Sequence, residues 1–245
     1  MRTSLPAPPR STSTPSPPIS SISIIIPTLN EADQIGDCLS PLQPLRRAGH
    51  EVIVVDGGST DATAAKAAAL ADDVIVCSSG RARQMNEGAE RASGDLLVFL
   101  HADTRLPEQA DRILAHAVNS NRCWGRFDVR LSGRGPALRV IEWCMNIRSR
   151  LTGIATGDQT LFVTRELFKA VGGFPDIALM EDIALSRKLK KFAAPICLKE
   201  KVLASSRRWE KYGVIRTVLH MWSLRARYFF GADPARLARE YDGTK

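Results

Sequence analysis

The chain has 245 residues, 44% of them hydrophobic, with a formal net charge of +8. That length and apolar content suit one large α/β unit with a substantial core and exclude a wholly disordered chain. Five cysteines, odd in number, far apart and without a C-x-x-C pair, argue against a disulfide framework or a zinc site and suit a reducing cytoplasm.

The charge is unevenly placed. Residues 1–20 contribute +2 through Arg2 and Arg10, residues 199–245 contribute +6 from 11 basic and 5 acidic side chains, and the stretch between is neutral. A basic C-terminal end favours contact with an anionic surface, such as a membrane or a polyphosphate, over a nucleic-acid groove across the whole protein, so no nucleic-acid partner is expected. A solvated basic face without a partner has the same pattern. No window reaches about 18 uninterrupted apolar residues, so no spanning helix is expected.

Taken in order, residues 1–20 hold six prolines and eight serines or threonines and are read as a disordered leader without the apolar stretch of a secretory signal. The first strand is the β-branched run Ile22 to Ile26, stopped at Pro27. A polar turn, Thr28-Leu29-Asn30-Glu31, precedes a helix over 32–47. The second strand, Glu51 to Asp56, ends in Gly57-Gly58-Ser59-Thr60-Asp61 and an alanine-rich helix through Leu70. A third strand, 73–77, leads into the polar segment 80–86 and a helix to Ala92. The fourth strand, Leu96 to Leu100, ends in His101-Ala102-Asp103-Thr104. Strand, turn and helix at this spacing are the βαβ rhythm of a doubly wound, mostly parallel sheet.

Such sheets bind ligands at the carboxyl ends of their strands. Asn30, Glu31, Asp56, Ser59, Asp61, Arg81, Arg83, Asn86 and Asp103 therefore converge on one edge, although any one of them alone would read as a turn or helix-cap residue. The buried-looking fourth strand delivers two potential metal ligands, His101 and Asp103, to that edge.

Beyond Thr104 the pattern changes. A helix over 107–119 precedes a strand at 123–131 whose apolar and polar residues alternate, as in a half-exposed strand. A helix at 137–151, a short strand at 160–164 introduced by Gly157-Asp158-Gln159, and a tight loop at Gly172-Gly173-Phe174-Pro175 follow. Glu181 and Asp182 open a helix to Phe192; there the helix dipole keeps a carboxylate ionised and able to accept a proton, although both acids also suit a simple cap. A strand pair near Ile196 and Val202 is followed by Arg207-Arg208-Trp209, which offers bidentate phosphate contacts beside a flat indole. A helix over 213–230 carries a broad apolar arc with basic flanks, suited either to a membrane interface or to a groove in its own domain.

In order, Ser23-Ile24-Ile25-Ile26-Pro27-Thr28-Leu29-Asn30-Glu31, Val54-Val55-Asp56-Gly57-Gly58-Ser59-Thr60-Asp61, Phe99 to Asp103, Gly172-Gly173-Phe174 and Glu181-Asp182 resemble the signature blocks of family 2 glycosyltransferases with the GT-A fold. The chain also resembles the short transferase 2 branch associated with radical-SAM and selenium-domain proteins. The resemblance covers about residues 21–210 and implies a nucleotide-sugar half over 21–104 and an acceptor half over 105–210; residues 211–245 are read as a basic amphipathic helical extension beyond it. It implies an inverting transfer of a sugar from a nucleotide-sugar donor to a hydroxyl-bearing acceptor. Donor contacts would come from Pro27, Thr28, Asn30, Glu31, Asp56, Ser59, Arg81, Arg83, Asn86, Arg208 and Trp209.

Asp103 would match the last acid of the family's metal-binding D-x-D, with His101 at the first position. That departure replaces a hard oxygen by an imidazole, which suits manganese better than magnesium as the divalent metal, or leaves Asp103 as the only protein ligand. Asp182 matches the family's catalytic base, and Gly157, Asp158 and Glu181 would face the acceptor. Ser205 stands where the family's Q-x-x-R-W element has glutamine. A cytoplasmic protein, peripheral to the inner membrane face through 199–230, is expected. The rival readings are a nucleotidyltransferase, against which Pro27 to Glu31 lacks a glycine-rich basic loop, and a catalytically silent protein docked on anionic membranes.

Overall fold

The computed structural model describes residues 19–119 and 121–242; all but the last two residues of the expected leader, and residues 243–245, lie outside the described residues. Among the described residues, one 8-stranded sheet runs in the order β3-β2-β1-β4-β7-β6-β8-β5. Its first half is β1 (Ile22–Thr28), β2 (Glu51–Asp56), β3 (Asp73–Val76) and β4 (Leu96–Phe99). All their pairings are parallel, as the βαβ rhythm requires. The second half is β5 (Thr104–Arg105), β6 (Trp124–Leu131), β7 (Leu161–Thr164) and β8 (Ile196–Ala204). There β7 is antiparallel to both β4 and β6, while β8 is parallel to β6 and antiparallel to β5.

The period of two along the strands divides the core. Ile24, Ile26, Val52, Val54, Leu96 and Val98 face one side; Ile25, Ile53, Val55, Leu97 and Phe99 face the other. Each such side chain, when fully buried, contributes about 1.5–3 kcal/mol, and burial on both faces is why these strands read as continuous apolar runs. On the second face lies α4 (Arg81–Arg91). It sits so close that a Cβ on Gly88 would come within 2.5 Å of Ile25 and 2.9 Å of Val55, so only glycine allows this helix-to-sheet distance.

Several elements depart from the sequence reading. Pro27 does not end β1, which continues to Thr28 in register with β2. The Leu100 N–H donates to the Ile25 carbonyl and the Gly57 N–H to that of Thr28, so Pro27's nitrogen faces the β4 side just where β4 has stopped pairing, and its missing donor goes unneeded. The helix expected over 32–47 is broken into α1 (Ile35–Leu39), a 3₁₀ turn (Ser40–Leu42) and α2 (Gln43–Arg47). Pro41 and Pro44 lack the N–H that an unbroken helix needs and sit instead in the first turns of new segments. α3 (Thr63–Ala68) and α5 (Ala110–Ala117) are shorter than expected.

The strand read as half-exposed, β6, is buried at every residue but Arg130. Its polar residues turn inward in pairs: Arg126 is ion-paired with Asp128, and Arg150 of α6 (Pro136–Thr152) reaches the same carboxylate at 2.6 Å. The expected strand pair near 196 and 202 is the single strand β8. Five short elements were not anticipated as separate elements from the sequence: β5, a 3₁₀ turn at Gly157–Gln159, α7 (Arg165–Ala170), the helix Arg207–Tyr212 and α11 (Pro234–Asp242). α8 (Glu181–Leu189), α9 (Arg207–Tyr212) and α10 (Val214–Phe229) complete the chain. Met180 just before α8, Ile183 within it, Leu224 of α10 and Leu237 of α11 form a separate small core that fastens the C-terminal helices to the domain.

Candidate active site

The turns after β1 and β2 are tied to each other. Asp56, 1% exposed, accepts hydrogen bonds from the Gly58 and Ser59 N–H groups at 2.9 and 2.6 Å and from the Ser59 hydroxyl at 2.6 Å. The Ser59 hydroxyl in turn accepts from the Asn30 N–H at 2.8 Å, and the Asn30 side chain accepts from the Thr60 N–H at 2.9 Å. Asn30 has φ 53, in the left-handed region that asparagine tolerates better than most residues. Beneath them Gln84, buried, donates to the Thr28 and Val55 carbonyls at 2.8 Å each. The result is a rigid floor at the carboxyl edge of β1 and β2, with Pro27, Thr28, Glu31 and Arg81 lining the cavity above it.

At the end of β4 the chain turns at once, the Thr104 N–H donating to the His101 carbonyl at 3.0 Å. Asp103 is left with about a third of its side chain exposed, and Arg207 of α9 stands 3.9 Å from both Asp103 and Glu31. The imidazole of His101 packs on Gly157, where a Cβ would collide with the ring, and its Nδ1 lies 3.7 Å from Asp158. Burial, then the nearby Arg81 guanidinium, holds His101 down at about 4, so the ring is neutral at physiological pH. Cys38 lies under the same turn, and burial, with the charge of Asp103, pushes its thiol up to about 12, which leaves it unreactive.

The second carboxylate site is at the start of α8. Met180 takes φ 69, a left-handed conformation that costs a non-glycine residue about 1–3 kcal/mol, and α8 starts just after it, its 3.6-residue turn pointing the next two acids in different directions. Glu181 turns inward, 4% exposed, where burial and then the charge of Asp182 push it up to about 7 against the pull of Arg81. Asp182 turns to the 3₁₀ turn and accepts from the Gly157 N–H at 2.9 Å and the Ile183 N–H at 2.7 Å. Gly157 thus serves both candidate centres, one through its N–H and the other through its lack of a side chain.

Three neighbouring cavities unite these groups. One of about 230 Å³ lies over the β1 turn. A second, of about 430 Å³, holds Asp103, Arg207, Arg208 and Trp209. The third, of about 60 Å³, holds Glu181 and Asp182. Arg81 and Tyr241 line all three, and His101 and Asp158 line the last two. Tyr241, from α11, is the residue that the sequence reading missed most completely; the Arg208 guanidinium lies over its ring at 3.9 Å. Its only sequence signal was its spacing of four from the buried Leu237.

Of the residues anticipated for the donor, Pro27, Thr28, Glu31, Arg81, Arg208 and Trp209 line the cavities, while Asn30, Asp56 and Ser59 hold the floor beneath them. Arg83 and Asn86 belong to α4 instead of a turn, and neither lines any of these three cavities. Arg83 reaches Asp176 at 3.1 Å, and Asn86 exchanges two 2.9 Å hydrogen bonds with the backbone of Phe174. Asn86 thereby fixes the loop at 172–175, which carries Phe174 into a cluster with Phe99 and Phe168. Arg207, met in the sequence only as part of a motif, is the cation nearest Asp103.

A parallel βαβ half joined to a mixed half, with acids at the end of β4 and the start of α8, is the GT-A class of glycosyltransferase fold. The solved structures it resembles agree. It matches S. aureus TarS 1-349 with a TM-score of 0.61 and 22% identity, over 81% of this chain and 64% of that one. It matches the mannosyltransferase PcManGT from Pyrobaculum calidifontis, in complex with GDP-Man and Mn2+, with a TM-score of 0.57 and 22% identity, over 84% and 60%. Residues 23–169 match the model of glycosyl transferase family 2, and the chain belongs to that family. Among curated relatives it is 26% identical to the poly-beta-1,6-N-acetyl-D-glucosamine synthase of Staphylococcus epidermidis, over 92% of this chain and 58% of that protein. It is 32% identical to the undecaprenyl-phosphate 4-deoxy-4-formamido-L-arabinose transferase of Pseudomonas fluorescens, over 58% and 45%. The chain thus spans about half the length of these curated relatives.

Proposed function

We propose that this protein is an inverting glycosyltransferase that moves a sugar from a nucleotide-sugar donor to an acceptor hydroxyl. The observation that carries the reading is the adjacency of two carboxylate sites: Asp103 beside Arg207, and Asp182 on the Gly157 N–H, in cavities that share Arg81, His101, Asp158 and Tyr241. The nucleoside lies over the β1 and β2 turns, with the diphosphate toward Asp103, Arg207 and Arg208. Asp182 takes the proton of the acceptor hydroxyl. The acceptor oxygen forms a bond to the anomeric carbon as the bond to the diphosphate breaks on the opposite face, and the guanidiniums receive the charge of the leaving group. Glu181, Gly157 and Asp158 wall the acceptor side.

Among the described residues no group of three or more His, Cys, Asp or Glu is placed to hold a metal. One open carboxylate nevertheless fits a divalent ion, Mn2+ or Mg2+, that takes most of its ligands from a diphosphate and water. Asp103 would hold it, with the neutral His101 as the candidate second ligand, and when bound it would supply charge neutralisation at the leaving group. The similar structures described with Mn2+, GDP-Man or UDP-GlcNAc support this choice of donor and ion.

The same reading includes a cytoplasmic location and a peripheral membrane contact through 199–230, supported by the basic charge there and by Trp222 and Phe229, 65% and 70% exposed on α10. No helix among the described residues is long and apolar enough to cross a membrane. The decisive experiment is a panel of sugar nucleotides screened by thermal shift with and without manganese, followed by turnover of the best binder. A stabilised protein that hydrolyses or transfers the sugar supports the proposal; no shift with any member of the panel contradicts it.

A further inference from the structure

α10 has two apolar faces, and the described residues cover only one. Val214, Val218 and the buried Thr217 and Leu224 pack toward the domain. On the outer side Ile215 and Leu219, one turn apart, are 75% and 60% exposed. Beside them runs a groove of about 580 Å³ whose apolar walls are Tyr212, Ile215 and Leu219. That is within the size range, roughly 300–1,000 Å³, of sites that enclose small organic ligands. Its charged and titratable lining consists of Arg208, Arg216 and His220, with no carboxylate among the lining residues.

The groove adjoins the active-site cleft. Arg208, Tyr212 and Thr217 line both, and the cleft beyond them holds Asp103, Arg207 and Asp158. An apolar trough edged by cations that adjoins a cleft of charged groups has the shape and polarity of a site for one amphiphile, its chain in the trough and its head at the catalytic end.

We propose that this groove is the tail subsite of the acceptor, so that the acceptor is an anionic amphiphile whose apolar chain lies against Tyr212, Ile215 and Leu219 while its hydroxyl-bearing head passes Arg208 into the cleft. The proposal rests on the glycosyltransferase reading for the identity of the ligand as acceptor, but not for the existence of the site.

The test uses the full chain and three probes: dodecyl phosphate below its micelle concentration, ethyl phosphate and inorganic phosphate, each titrated by calorimetry. Dodecyl phosphate should bind at least about tenfold more tightly than either short probe, as expected when an apolar chain leaves water. Leu219→Glu and Ile215→Glu should each remove most of that advantage and leave ethyl phosphate binding unchanged. Both positions are exposed, so the variants are expected to fold, and a circular dichroism melt checks it; Leu219→Ser serves if a glutamate variant melts early. Equal affinity for the dodecyl and ethyl probes, or a Leu219→Glu variant that keeps the full chain-length advantage, would overturn the proposal. So would a concentration-dependent dimer that Leu219→Glu dissolves and dodecyl phosphate does not disturb, which would assign the face to a second copy. Manganese-dependent binding of the best sugar nucleotide, measured on the same samples, separates the two readings: its absence counts against the transferase, and loss of the chain-length effect against the groove.

Discussion

The two halves of the sheet solve the burial problem differently. Residues 22–104 fill both faces of parallel strands with aliphatic side chains and leave polar residues to the turns, where they bond to one another within a few residues or across one βαβ unit. Residues 124–204 place charge inside: Arg126 is 1% exposed on a central strand and is paired there with Asp128, a carboxylate it shares with Arg150 of α6. The first half is a scaffold with a rigid floor that also carries Arg81, His101 and Asp103 to the cavities, and the second buries acids, Asp128 and Glu181 among them.

Four measurements would break or sharpen that contrast. The largest effect is expected at the start of α8. Asp182→Asn should lower transfer by about 10²–10⁴-fold, the range typical of positioned base catalysis, while sugar-nucleotide binding measured by calorimetry survives; near-normal turnover in this variant would remove Asp182 from the role of base.

Next, Asp128→Ala leaves the Arg126 guanidinium buried without its carboxylate. Loss of one partner of a buried pair is expected to cost about 3–5 kcal/mol of stability, read by urea denaturation. A cost below about 1 kcal/mol would mean that the charged interior of the second half is not what holds β6.

Glu181 gives the contrast a pH signature. Its folded-state value, about 7, lies above the ordinary 4.5, so the fold favours the protonated form. The associated stability is complete below about pH 4.5 and is lost as pH rises through about 7, by up to about 3 kcal/mol. Urea midpoints of the wild type should fall between pH 5 and pH 8, and those of Glu181→Gln should fall less by that contribution; parallel profiles would contradict the burial argument. The smallest effect concerns the edge between the halves. Asp103→Ala should weaken manganese-dependent donor binding by at least about 10–100-fold, a loss seen even for outer-shell partners of a metal, with little change in binding measured under chelation.

How much could be read in advance follows the same division. β1, β2 and β4 appear in the sequence as runs of Ile, Val and Leu closed by polar turns, and the convergence of Glu31, Arg81 and Asp103 follows from the parallel order alone. The period-two pattern of β6 led to a half-exposed strand because sequence alternation does not tell a polar residue facing water from one facing a buried partner. Arg83 and Asn86 were placed with the ligand edge because Gly80 to Asn86 reads as a turn; α4 begins at Arg81, and its pitch sends those two side chains to Asp176 and Phe174. α11 went unread, so Tyr241 and its contact with Arg208 did too.

The sequence by itself determined the apolar strands, their order as βαβ units and the acids at two strand or helix ends, because these are set by the repeat of side chains along a few neighbouring residues. The tertiary structure decided which charges are paired inside β6, that Gly157 joins His101 to Asp182, that Glu181 is buried while Asp182 is not, and that Tyr241 closes the site. Apart from the local Arg126–Asp128 pair, those depend on contacts between residues 20 or more positions apart, where burial and the position of the nearest opposite charge, not residue type, set what a side chain can do.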